Sequence, residues 1–177
     1  MYSFGKSLKY DGVRDKLKNS VDIFKDFGNR QLVLLQCTTN YPASVQDANV
    51  LAVESMREEF GVLTGYSDHT QSNISSVAAV ALGAKVIEKH FSLDKSLSGP
   101  DQSSSVNPVE LKTLISEVRE VESALGNGDK VPSKAELRNK NGMRRSLVPS
   151  RNIPKGEVII AEMIATKRPG TGLAPSS

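Results

Sequence analysis

Two hydrophobic rhythms alternate along the chain. In "VRDKLKNSVDIFKDFGN" the apolar residues Val13, Leu17, Val21 and Phe24 recur at helical spacing, and Gly28 supplies a stop. The spacing predicts a helix over 13–27. "QLVLLQ" (31–36) is a short apolar run with polar flanks and reads as a buried strand. "SVQDANVLAVESMREEFG" returns to helical spacing, with Ser44 as N-cap and Gly61 as C-cap. "VLTGY" predicts a second strand. "QSNISSVAAVALGA" predicts a helix of small residues from Ser72 to Gly83, and "KVIEK" a third strand. "NPVELKTLISEVREVESALG" is a long amphipathic helix with Asn107 as N-cap, Pro108 in the first turn and Gly126 at the stop.

The strands begin near residues 31, 62 and 85, with a helix between each pair. Apolar strands alternating with helices predict an α/β fold with parallel strands buried on both faces. A closed barrel and an open doubly wound sheet both fit. Both place their active sites at the carboxyl ends of the strands. Residues 127–143 are polar and basic with poor periodicity, and read as a linker. Beyond them "SLVPS" and "EVII" resemble short strands. "NIPKGE" forms the turn between them, through Pro154 and Gly156. "KRPGTGLAP" reads as a loop. A region this short is hard to stabilise alone.

Composition narrows the picture modestly. No apolar stretch approaches the roughly twenty residues of a membrane span, and "MYSFGKSLKY" lacks the core of a secretory signal. The one cysteine, Cys37, excludes an internal disulfide framework and points to the cytoplasm. It falls late in a buried strand and reads as a core residue. Net charge is +3, too mild to argue for nucleic acid, and nine aromatics without tryptophan offer little for base stacking. The charge is uneven: Gly126–Arg168 holds ten Lys or Arg against four Asp or Glu. That excess is either a solvated surface or a patch facing anionic ligands.

The polar residues cluster at the strand ends: "QCTTNYPAS", "GYSDHT" and "EKHF". Both histidines of the chain, His69 and His90, sit there. Adjacent strands lie about 5 Å apart, so two imidazoles at neighbouring tips can converge on a divalent cation with open positions left for substrate. Alternatively, each is a strand-end histidine with a satisfied hydrogen bond. Asp68 either orients His69 or caps the next helix. "SLSGPDQSSS" is a polar loop presenting Asp101, whose carboxylate suits sugar hydroxyls or proton transfer; it also reads as a plain flexible loop. Tyr41, held extended before Pro42, either closes the pocket side or simply packs.

"CTTNYPA", "GYSDHT", "GAKVIEKHFSLD", "GPDQSSS", "RRSLV", "IPKGE" and "KRPGTG" occur in the order found in sialic acid synthases, and the chain resembles that family from about Gly28 onward. The resemblance implies a (β/α)8 barrel followed by a small antifreeze-like (SAF) domain. It implies condensation of phosphoenolpyruvate with an N-acetylated amino sugar such as N-acetylmannosamine, with Mn²⁺ or Mg²⁺ and release of phosphate. By the same resemblance His69 and His90 are the metal ligands. Ser67 and Glu88 line the phosphoenolpyruvate and metal site, Tyr41 and Asp101 contact the amino sugar, and Arg168 reaches into a partner's barrel in a domain-swapped homodimer. Thr39 stands where the family often has an asparagine contacting phosphoenolpyruvate, and Gln102 where many relatives have histidine.

A full barrel takes about 200–250 residues. The three strands found resemble the sixth to eighth units, with the first helix resembling that of the fifth. Expected, then, is a partial TIM (β/α)8 barrel over 1–126, a linker over 127–143, and an incomplete SAF domain over 144–177. The family's catalytic glutamate and lysines have no counterpart here; "GKSLKY" does not supply them. The isolated chain is expected to be a fragment without synthase activity. The alternatives are a non-catalytic half-barrel that binds a sugar or another chain, and a synthase for legionaminic- or pseudaminic-type acids.

Overall fold

The computed structural model describes residues 11–28 and 31–177; "GKSLKY" lies outside them. The chain divides into two compact units, with the boundary between Asn127 and Gly128. The first contains α1 (Asp11–Asp26), β1 (Val33–Cys37), α2 (Ala52–Phe60), β2 (Leu63–Asp68), α3 (Ile74–Ala81), β3 (Val86–Lys89) and α4 (Pro108–Leu125). The strands form a parallel sheet in the order β1-β2-β3. The α/β class with a parallel sheet is therefore as the alternation of helix and strand predicts.

The register sets the chemistry of each face. Leu35 lies opposite Gly65, which lies opposite Val86; Cys37 lies opposite Ser67, which lies opposite Glu88. Successive strand residues point to opposite faces. One face therefore carries Leu34, Thr64, Tyr66, Asp68, Ile87 and Lys89, and the helices cover it. Val21, Met56 and Phe60 form one cluster there, with Leu17, Leu34 and Val62 packed against it. Ala48, Val53, Tyr66, Ala79 and Ala84 form a second, joined by Ile87. On the other face Val33, Leu63 and Val86 are 38%, 57% and 40% exposed. Burial on both faces thus holds for one face only among the described residues. Gly65 keeps the strands close on the open face. A Cβ there would lie 2.3 Å from the Val86 carbonyl oxygen and 2.6 Å from Leu35 Cδ2.

The helices depart from expectation in two places. Of the stripe in α1, Leu17 and Val21 reach the core, while Val13 and Phe24 stay exposed. The segment after Ser44 is two elements. Ser44 caps a single 3₁₀ turn, Val45–Asp47, and α2 starts only at Ala52. Asn49, at φ 44°, breaks the helical path between them. The predicted capping of α4 is present in full. Asn107 Oδ1 accepts from the backbone N–H groups of Val109 and Glu110, and the Glu110 carboxylate accepts from the Asn107 N–H.

In the second unit α5 (Lys134–Met143) precedes β4 (Ser146–Pro149) and β5 (Ile164–Lys167), which pair antiparallel. The expected linker over 127–143 thus contains a helix. α5 has no buried residue, so no apolar stripe announces it. Its start is set instead by a capping box of Ser133 and Glu136. The turn at Pro154–Glu157 forms as expected, with Gly156 at φ 94°. "EVII" is not a strand, however. Val158 and Ile159 are exposed, the chain passes through a 3₁₀ turn at Ala161–Met163, and "IATK" pairs with β4 instead. The terminal loop is tied to β4. Ser146 Oγ donates to the Pro169 carbonyl and accepts from Gly172 N, both at 2.8 Å, and Leu147 N donates to the Leu173 carbonyl at 2.9 Å.

Candidate functional site

Two short returns of the chain extend the sheet beyond its strands. Ala43 N donates to the His69 carbonyl at 2.8 Å, making a parallel bridge between Ala43 and Thr70. Val106 N donates to the His90 carbonyl at 2.8 Å, and Ser92 N to the Val106 carbonyl at 3.0 Å, bridging Phe91 and Val106. The first return brings Tyr41 over the strand tips. The second closes the loop that carries Asp101.

The result is a cluster of three rings. The His69 and His90 centroids are 5.1 Å apart, edge to face, and Tyr41 lies 4.2 Å from His69 and 5.4 Å from His90. Asp101 Oδ2 stands 3.8 Å from His90 Nδ1, within ion-pair range but beyond a hydrogen bond. On the adjoining open face Ser67 Oγ donates to Glu88 Oε1 at 2.8 Å. Thr39 is exposed in the segment after β1. Gln102 Oε1 accepts from Asp101 N at 3.2 Å. Arg168 belongs to the second unit, where its Nε donates to the Met143 carbonyl at 3.1 Å.

His69 Nδ1 is 2.8 Å from the Thr38 carbonyl oxygen. A carbonyl only accepts, so Nδ1 is the donor here, and in the neutral ring that leaves the lone pair on Nε2. This is the arrangement a metal-bound histidine needs. Among the described residues no group of three or more His, Cys, Asp or Glu could hold a metal ion. What the described residues offer such an ion is two imidazoles with ring centroids 5.1 Å apart, so any further ligands would be oxygens from water or substrate.

Cys37 corrects the expectation of a core cysteine. It is exposed, and its Sγ lies 3.8 Å from His69 Nδ1. Strand alternation puts it on the open face, in one row with Ser67 and Glu88. The hydrogen bonds of the Asp68 carboxylate go neither to the His69 ring nor to the first backbone N–H groups of α3. It accepts from Thr70 N and Oγ1, each at 2.8 Å, and from Ser76 Oγ at 2.5 Å. It also pairs with Lys89 Nζ at 3.0 Å, with both side chains almost wholly buried. Lys89, unremarked in the sequence beside His90, further donates to the Thr70 carbonyl at 2.7 Å. The signal that could have found it is register: Asp68 and Lys89 are opposite residues on the helix-facing side. Beside them burial pushes the Tyr66 hydroxyl up to about 12, helped by the Asp68 charge.

The fold and the site together define an α/β protein with paired histidines where two adjacent parallel strands end. The chain belongs to the NeuB family, whose model matches residues 12–130, and a SAF domain model matches residues 144–177. It is 47% identical over 151 residues to the N,N'-diacetyllegionaminic acid synthase of Campylobacter jejuni, covering 85% of this chain and 45% of that protein. It is 49% identical over 145 residues to the enzyme of the same name from Legionella pneumophila, covering 82% and 41%. A crystal structure of N-acetylneuraminic acid synthetase from Leptospira borgpetersenii, in complex with citrate, superposes with a TM-score of 0.65 at 32% identity, covering 76% of this chain and 45% of that one. The chain spans about half the length of the curated relatives it matches.

Proposed function

We propose that this chain carries the metal and amino-sugar side of the active site of a nonulosonic acid synthase, which condenses phosphoenolpyruvate with an N-acetylated amino sugar and releases phosphate. The observation that carries this reading is the pairing of His69 and His90, with Tyr41 against both rings. In this reading the sheet of the first unit forms the last units of a TIM barrel, and the second unit is part of a SAF domain. Two relatives named as N,N'-diacetyllegionaminic acid synthases support a 2,4-diacetamido sugar ahead of N-acetylmannosamine.

His69 and His90 would hold Mn²⁺ or Mg²⁺ through ring nitrogens, His69 through the Nε2 that the Thr38 carbonyl leaves free. A divalent cation there supplies Lewis-acid polarisation of the open-chain aldehyde. Glu88, held by the Ser67 hydroxyl, presents its second carboxylate oxygen to the open face, where it accepts a hydrogen bond or a proton. Ser67 and Thr39 take the phosphoenolpyruvate side. Asp101 accepts sugar hydroxyls beside His90, and Tyr41 covers the histidines against water. The carbon–carbon bond forms between C3 of phosphoenolpyruvate and the aldehyde carbon. Water then adds at C2, and phosphate leaves by C–O cleavage. Arg168 serves the active site of a second subunit in a domain-swapped homodimer. A reducing cytoplasm suits the exposed thiol of Cys37.

Calorimetric titration with Mn²⁺ tests the site. The parent chain binds, and His69→Ala and His90→Ala each lose binding by at least about tenfold. Equal binding by either alanine variant removes the two-histidine site. Phosphate release is measured alongside, with phosphoenolpyruvate and each amino sugar. The chain spans about half the length of the relatives it matches, and no release from it alone is expected.

A further inference from the structure

The residues next to the two histidines are themselves joined. Asp68 precedes His69 and Lys89 precedes His90, and the two meet at 3.0 Å on the helix-facing side of the sheet, with side chains 0% and 4% exposed. Lys89 reaches past Asp68 to the Thr70 carbonyl at 2.7 Å, while Asp68 holds Thr70 through its N–H and its hydroxyl. Ser76 Oγ anchors the same carboxylate to α3. His69 is thus flanked by Asp68 and Thr70, both held by this network, and His90 directly follows Lys89. A buried ion pair is weak ground for added stability, because desolvation offsets the attraction; its best use is to specify one geometry. Here the geometry is the offset between the tips of β2 and β3, and that offset sets the separation of the imidazoles.

We propose that Asp68 and Lys89 are positioning residues that fix the spacing of His69 and His90, and thereby the affinity of the site for a divalent cation. The inference rests on the two-histidine reading given above. Neither residue faces the ligand; each acts through the backbone of the residue that follows it.

The test uses Lys89→Met, which leaves Asp68 unpaired, and the double variant Asp68→Asn/Lys89→Met, which removes both buried charges and so avoids an isolated one. Val53→Ala serves as a control, since Val53 is fully buried in the helix-side core and its apolar side chain takes no part in the hydrogen bonds of the pair. Mn²⁺ affinity is measured by calorimetry, the fold by circular dichroism, and the two imidazoles by their ¹⁵N resonances without metal. Both pair variants are expected to remain folded, to shift the His69 and His90 ring resonances, and to bind Mn²⁺ about ten- to a hundredfold more weakly. Val53→Ala is expected to lose stability while binding as the parent does. Pair variants that bind within about twofold of the parent, against the tenfold and more expected, overturn the proposal. So does an affinity loss in Val53→Ala that follows its loss of stability, and so does unfolding of both pair variants. If the parent binds no Mn²⁺, the two-histidine reading fails. The resonances then decide the positioning role alone, and unchanged ring resonances overturn it.

Discussion

The two faces of the three-stranded sheet are built from alternate residues of the same strands, yet they do different work. The helix-facing side holds Tyr66, Ile87 and two apolar clusters, and even its charges, Asp68 and Lys89, are buried and paired. The open side holds Cys37, Ser67 and Glu88 in one row, below the histidines at the strand tips. A single-residue step along a strand therefore moves from the groups that hold the fold to those that could do chemistry. Strand period two makes that division sharp, since a side chain cannot serve both faces.

Substitutions can pull the faces apart. The largest effect is expected at Phe60, buried between α1 and the sheet. Phe60→Ala should cost about 3–5 kcal/mol in urea unfolding, with the Mn²⁺ affinity of the surviving native state unchanged. A parallel loss of affinity would mean that the faces are coupled. Tyr66 gives a pH-dependent version. Its hydroxyl stays protonated in the folded chain up to about 12, against an ordinary value of 10.0. The folded state then binds the proton more tightly than the unfolded one. That contribution is complete below pH 10 and is lost as pH rises toward 12. The loss should be on the order of 2–3 kcal/mol, and Tyr66→Phe should flatten it.

A smaller effect is expected at the cap of α4. Asn107→Ala should cost about 1 kcal/mol. The Asn107 N–H and Lys95 hold the Glu110 carboxyl below its usual 4.5. Its contribution is therefore present above that value and fades as pH falls through the depressed pKa. Acid titration of Glu110→Gln against the parent reads the difference. The smallest effect on stability is expected at Cys37, on the open face. Alkylation by iodoacetamide should shift unfolding by less than about 0.5 kcal/mol yet weaken Mn²⁺ binding, because the sulfur lies 3.8 Å from the Nδ1 side of the His69 ring and the added group crowds it. Unchanged affinity after complete alkylation would mean that the open-face row beside His69 does not bear on the site.

Much of this was legible in the residues. The strands at 33–37, 63–68 and 86–89 follow the apolar runs, and α4 carries its stop and start signals in Asn107, Pro108 and Gly126. The position of both histidines at strand ends followed from the same runs. Other features left no periodic trace. α5 has no buried face, so only its capping box marked it. Asn49 interrupted what read as one continuous helix. "EVII" has the composition of a strand, but "IATK" took the place beside β4.

Local pattern determined most of the helices and strands of the first unit, because a backbone must satisfy its own hydrogen bonds and each period exposes one face. Register and chain return lie between segments distant in sequence, and only the tertiary structure decided them. They put Tyr41 against His69 and His90, brought Asp101 within 3.8 Å of His90, turned Cys37 out of the core, and closed Asp68 on Lys89 behind the site. Each of these contacts depends on which strand is neighbour to which and by how many residues they are offset, and no single stretch of sequence carries that offset.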